Sequence, residues 1–160
     1  MNPSDGRWLR EVIALSERSR AEGHHPFAAL LVGADGALIS QAMNASSADR
    51  TAHAEMQAIR AASALHGPGL AGATLYSSAE PCSMCAGALY WAGIGRLVYA
   101  LSEARLLAIT GDDPENPTLS LPCREVFARG QRIIEVIGPA LEGDAARAHQ
   151  GFWQPLTSRP

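Results

Sequence analysis

His53-Ala54-Glu55 and, downstream, Pro81-Cys82-Ser83-Met84-Cys85 decide the reading of this chain. Together they supply three metal-ligand side chains and one unattached carboxylate. A tetrahedral zinc with three protein ligands keeps an open fourth position, which is the arrangement of a catalytic site. A water suits that position, and Glu55 beside it can move the water's protons.

Zinc lowers the pKa of a bound water from 15.7 to about 7, so hydroxide becomes available at neutral pH. Two thiolates and a neutral imidazole cancel the dication's charge and allow the site to be buried. At a helix start, the spacing of Cys82 and Cys85 puts both sulfurs on one face, one turn apart. The helix dipole and free N–H groups there favour thiolates. Pro81 suits the start because no N–H is needed. Residues two apart do not share a helix face, so His53 is expected at the very first position of its helix. A lone Cys-x-x-Cys is a weak signal, equally a redox pair or half a structural zinc site. Both motifs in this order, with Pro81 before Cys82, are similar to the signature of zinc-dependent base deaminases.

The rest of the chain agrees. Its 160 residues fit one domain, 1–160, with room for a sizeable core. A hydrophobic content of 47% with 18% charged residues is that of an ordinary globular protein. The start, Met1-Asn2-Pro3-Ser4-Asp5-Gly6-Arg7, has no apolar run of a secretory signal. The longest apolar stretch, 86–95, is too short to span a membrane. Three cysteines, two of them placed for metal, fit a reducing cytoplasm. Cys123 is left over and reads as a buried thiol.

Helical spacing of Trp8, Val12, Ile13 and Leu15 follows a Ser4-Asp5 start signal. Strands are expected at 27–32 and 37–43, joined by the turn Gly33-Ala34-Asp35-Gly36. A helix over 53–65 ends at Gly67-Pro68-Gly69. Then come strand 73–77, helix 82–91, strand 96–101, helix 102–108, a loop over 111–122, a short helix ending at 126–129, strand 132–137 and helix 144–152. This order predicts an α/β domain of three layers, with helices on both faces of a five-stranded sheet.

The stretch 27–101 resembles the cytidine/deoxycytidylate deaminase superfamily. Within it, the chain is most similar to bacterial guanine deaminases and related enzymes of free amino-heterocycles. The resemblance is carried by His25-Pro26-Phe27-Ala28-Ala29, by Asn44, by Thr51-Ala52-His53-Ala54-Glu55, and by Ser78-Ala79-Glu80-Pro81-Cys82-Ser83-Met84-Cys85 with the Ala86-Gly87-Ala88-Leu89-Tyr90-Trp91-Ala92 that follows. It implies a cytidine-deaminase-like α/β/α fold with a mixed sheet. It implies zinc on His53, Cys82 and Cys85, with Glu55 as proton shuttle. It also implies a homodimer. Asn44 would contact the substrate ring, Phe27 would stack on it, and Ala54 would line its site. Trp91 would stand at the pocket or at an interface beside it. Asp113 lies where guanine deaminases carry an acidic pair, and so would meet ring N–H and amino donors.

Each of these has a plainer reading. Phe27 opens an apolar strand, and Asn44 is a common turn residue. Asp112 and Asp113 sit in a loop, where a solvated acid is the default. Tyr90 and Trp91 suit a core or an interface.

The rival inside the superfamily is a tRNA adenosine deaminase. Such enzymes carry a valine-like residue where Phe27 stands and a His-Ser pair in the region of Tyr90-Trp91-Ala92. The 13 Lys+Arg against 16 Asp+Glu, a net charge of −3, also argue against a polyanionic partner. A reading from another class is a non-catalytic, zinc-stabilised binding module, which would have no use for Glu55. The chain departs from the guanine deaminases in the loop 111–121 and in the tail Gln150-Gly151-Phe152-Trp153-Gln154-Pro155. That tail either closes over a site mouth, in its own or a neighbouring subunit, or anchors the last helix.

Overall fold

The protein is described from a computed structural model, over residues 1–153. The order is α1 (Asp5–Ala21), β1 (Ala28–Val32), β2 (Leu38–Met43), α2 (Ala54–His66), β3 (Thr74–Ala79), α3 (Ser83–Trp91), β4 (Arg96–Leu101), α4 (Glu103–Thr110), α5 (Cys123–Ala128), β5 (Glu135–Ile137) and α6 (Glu142–Arg147). The strands form one mixed sheet in the order β2-β1-β3-β4-β5. The first three are antiparallel neighbours, and β3, β4 and β5 run parallel.

Strand alternation sends successive residues to opposite faces, and here each face has its own core. Ala29, Leu31, Leu75, Leu97 and Tyr99 pack with Ala58, Ile59 and Leu89 of α2 and α3. Ala28, Leu30, Val32, Tyr76 and Val98 pack with Trp8, Leu9 and Val12 of α1 and with Ala145 and Ala146 of α6. Both cores are needed because parallel strands are buried on two faces. The β1–β2 turn forms as expected: Gly36 takes a φ of 80° and donates its N–H to the Gly33 carbonyl at 2.9 Å. Gly67, with a φ of 55°, ends α2. No helix among the described residues is long and apolar enough to cross a membrane.

Three expectations are corrected. Ser4 contributes no side-chain cap to α1; the Asn2 side chain accepts from the N–H groups of Ser4 and Asp5 instead, both at 3.0 Å. The last strand is only Glu135–Ile137, because Ile133 stands 95% exposed and pairs with nothing. The last helix is Glu142–Arg147, shorter than its pattern.

Asp5 instead does long-range work. It is fully buried, receives a forked pair of hydrogen bonds from Arg96 at 2.8 and 2.9 Å, and accepts from the Tyr76 hydroxyl at 2.8 Å. Burial opposes its charge, yet the Arg96 and Tyr76 bonds prevail and hold its pKa at about 2. A depressed carboxylate pKa means stability that is present above the unfolded value near 3.8 and is lost as pH falls toward about 2. We expect Asp5→Asn to cost about 3 kcal/mol at neutral pH, because it removes the buried half of the Arg96 pairing and leaves the guanidinium only the exposed Glu135, 2.8 Å away. In denaturant titrations, the gap between variant and parent should narrow as pH falls through that window.

Candidate active site

The carboxyl ends of β3 and β4 and the amino ends of α2 and α3 meet at one edge of the sheet. In open α/β sheets this is where strands stop, loops diverge and helix dipoles converge on a crevice. His53 is the residue before α2, in an extended conformation (φ −64°, ψ 153°). It therefore stands one position earlier than expected. That non-helical geometry lets it share a cavity with Glu55, two residues on. Cys82 occupies the same place before α3 (φ −61°, ψ 170°), and Cys85 lies in the first turn.

Nδ1 of His53 is 3.6 Å from both Sγ of Cys82 and Sγ of Cys85. All three ligand atoms lie within 4.8 Å of one another. Zn–S bonds of about 2.3 Å and Zn–N bonds of about 2.0–2.1 Å give a tetrahedral ion S···N edges of roughly 3.6 Å. Both S···N separations in the cluster therefore match those of a zinc site. Its protonation chemistry points the same way. Cys82 is drawn down to about 4 by the hydrogen bond from the Cys85 thiol, against burial, and by His53. Cys85 is pushed up by that same bond, by its burial and by Glu55. Two sulfurs facing one another cannot both ionise cheaply unless a cation stands between them.

Glu55 is only 5% exposed and is not a member of the ligand cluster. The Ser77 hydroxyl donates to its Oε1 at 2.7 Å, and the Cys85 thiol to its Oε2 at 3.5 Å. Burial and the nearby Cys82 raise its pKa. The Ser77 contact was missed in the sequence. Its signal was parity: Ser77 is two residues from Leu75, which places it on the α2 face of β3.

A cavity of about 280 Å³ opens over this group, at the small end of the usual range for ligand pockets. Phe27, Asn44, His53, Glu55 and Cys82 line it. Glu80, Glu103 and Leu106 line it as well, as do Asn116, Pro117, Thr118 and Leu119 of the 111–122 loop. The side-chain oxygen of Asn44 accepts from the N–H and hydroxyl of Ser46, at 2.8 and 2.6 Å. Its amide N–H groups are then its remaining hydrogen-bonding atoms. Glu80, also missed in the sequence, is a staple: its two oxygens accept from the N–H of Cys123 at 3.0 Å and of Glu103 at 3.1 Å.

The other expected contacts are not brought here. Ala54 is buried in the core below. Asp113 is 2% exposed but outside the cavity wall; its carboxylate accepts from the Glu115 N–H at 2.9 Å and shapes the loop. Trp91 is 83% exposed at the end of α3, away from the cavity. Of the tail, Gln154 and Pro155 lie outside the described residues. Phe152 and Trp153 do not line the cavity. They pack around His25, and Trp153 stacks on His149 and donates to its Nδ1 at 3.2 Å. Within the chain they anchor the segment after α6 and back Phe27, whose ring is 6.0 Å from that of Trp153.

Comparison with known proteins follows the same lines. The profile of the cytidine and deoxycytidylate deaminase zinc-binding region matches residues 3–101. A probable cytosine deaminase of Schizosaccharomyces pombe is 36% identical over 154 residues, covering 96% of this chain and 94% of its own. The guanine deaminase of Bacillus subtilis is 47% identical over 91 residues, 55% of this chain and 58% of its own. The solved guanine deaminase of Nitrosomonas europaea superposes with a TM-score of 0.75 at 30% identity, covering 95% of this chain and 85% of its own. tRNA-specific adenosine deaminases are also among the relatives.

Proposed function

We propose, from the premise that this chain belongs to the cytidine and deoxycytidylate deaminase family, that it hydrolytically deaminates a free nucleobase or similar amino-heterocycle, with guanine-like rings foremost. The observation that carries the reading is Glu55: a buried carboxylate beside a three-ligand metal cluster, oriented by Ser77 and not itself a ligand.

His53, Cys82 and Cys85 would hold the zinc, which supplies the Lewis acidity that brings a water's pKa to about 7. Glu55 takes one proton from the attacking water and passes it to the ring nitrogen, then takes the second from the hydroxyl of the new tetrahedral carbon and passes it to the departing amino group. A C–O bond forms, the C–N bond breaks, and ammonia leaves. Ser77 fixes Oε1, so the exchange runs through Oε2. Phe27 offers its ring for stacking, and Asn44 donates N–H to a ring acceptor. The 116–119 residues line the cavity and would shield a bound ring from bulk water, which would strengthen each of these contacts.

A homodimer through the α3 face belongs to the same proposal, since Trp91 there is large, apolar and exposed beside Tyr90. Thiolate ligands at Cys82 and Cys85 suit a reducing cytoplasm. The relatives that act on tRNA are the second reading, and the net charge of −3 weighs against it. The expected result is ammonia release from a free base at a rate insensitive to salt. Inosine formation in tRNA, or submicromolar tRNA binding that falls steeply with salt, would overturn the small-molecule reading.

A further inference from the structure

The cavity wall carries three carboxylates, and two of them are already engaged. Glu55 is held by Ser77 and Cys85. Both oxygens of Glu80 are taken by backbone N–H groups. The third is Glu103, the first residue of α4. Its backbone is fixed by Glu80, yet no hydrogen bond or ion pair reaches its own carboxyl oxygens among the described residues. Its oxygens are therefore accessible acceptors in the cavity wall, open to a donor that a ligand supplies.

Every free nucleobase keeps one donor that its nucleoside lacks: the ring N–H at the nitrogen where a sugar would attach. Asn44 has spent its acceptor on Ser46, so it offers only donors. We propose that Glu103 accepts the hydrogen bond from this ring N–H and thereby selects free bases over N-substituted rings. An N-alkyl carbon at that place would cover the carboxylate without pairing it, which is how a hydrogen-bonding site rejects an analogue. The inference rests on the deaminase reading and names the group that restricts its substrate. Burial and the charges of Glu80, Cys82 and Glu55 hold the Glu103 carboxyl at about 7, a carboxyl short of compensating partners.

The experiment compares guanine with 9-methylguanine, and cytosine with 1-methylcytosine, in zinc-loaded parent, Glu103→Ala and Glu103→Gln proteins. The parent should favour each free base. Glu103→Ala should lower kcat/KM for the free base about 10- to 100-fold, mostly through KM, and leave the methylated ring within a few-fold. Glu103→Gln, which keeps an accepting oxygen and the volume, should fall between and decides the matter if the Ala variant does not fold. Equal losses on free and methylated rings, or none on either, would overturn the assignment, because a merely structural role leaves the ratio unmoved. If the parent releases ammonia from none of these rings while retaining zinc, the functional reading fails and this inference with it.

Discussion

Glu55→Gln is expected to keep its zinc and its fold and to lose turnover by about 10⁴-fold. General acid–base groups contribute typically 10²–10⁴-fold, and here one carboxylate serves several proton transfers, which places the loss at the upper end. Glutamine preserves the volume and can still accept from Ser77, so packing at this 5%-exposed position is undisturbed. It cannot carry a proton between water, ring and leaving group. Metal analysis, thermal unfolding and steady-state kinetics of the same preparation check all three parts. Activity within a few-fold of the parent would remove Glu55 from the mechanism and favour a purely structural zinc.

Cys85→Ala is expected to lose metal and stability together. The parent should hold one zinc per chain through His53, Cys82 and Cys85, and no fourth His, Cys, Asp or Glu joins that cluster among the described residues. Removing one of three ligands leaves a two-coordinate site. Binding that is confined to the native state stabilises it by about 4 kcal/mol when free metal exceeds its dissociation constant a thousandfold. The variant forfeits that contribution, and its melting temperature should no longer respond to added zinc or to chelator. A fully metallated, active Cys85→Ala protein would refute the ligand assignment.

The residues of the metal cluster were legible because chemistry restricts them to few types at short spacing. Their conformation was less so. His53 and Cys82 both stand just before a helix, where extended backbone turns a side chain toward the neighbouring helix start. The sheet was legible from short apolar runs and turn residues, down to the Gly33–Gly36 turn. What those runs could not show was partnership across the chain. Asp5 meets Arg96 from 91 residues away, and Glu80 meets the Cys123 N–H from 43. Such pairs leave no local pattern. Asp113 stands outside the cavity wall for a related reason: its placement followed from distance along the chain, and loops fix direction only through packing. Glu103 was invisible as a site residue because it opens a helix, where an acid is the ordinary choice.

The most direct test of the central claim is deamination in water enriched in oxygen-18. Zinc-loaded protein is incubated with guanine, cytosine and related amino-heterocycles, and ammonia and product mass are read together. Hydrolysis catalysed at this site predicts one ammonia per product and one solvent oxygen at the carbon that lost its amino group, both abolished in Glu55→Gln. Zinc-loaded protein that gives no labelled product from any of these rings, or gives it equally without Glu55, would contradict the account.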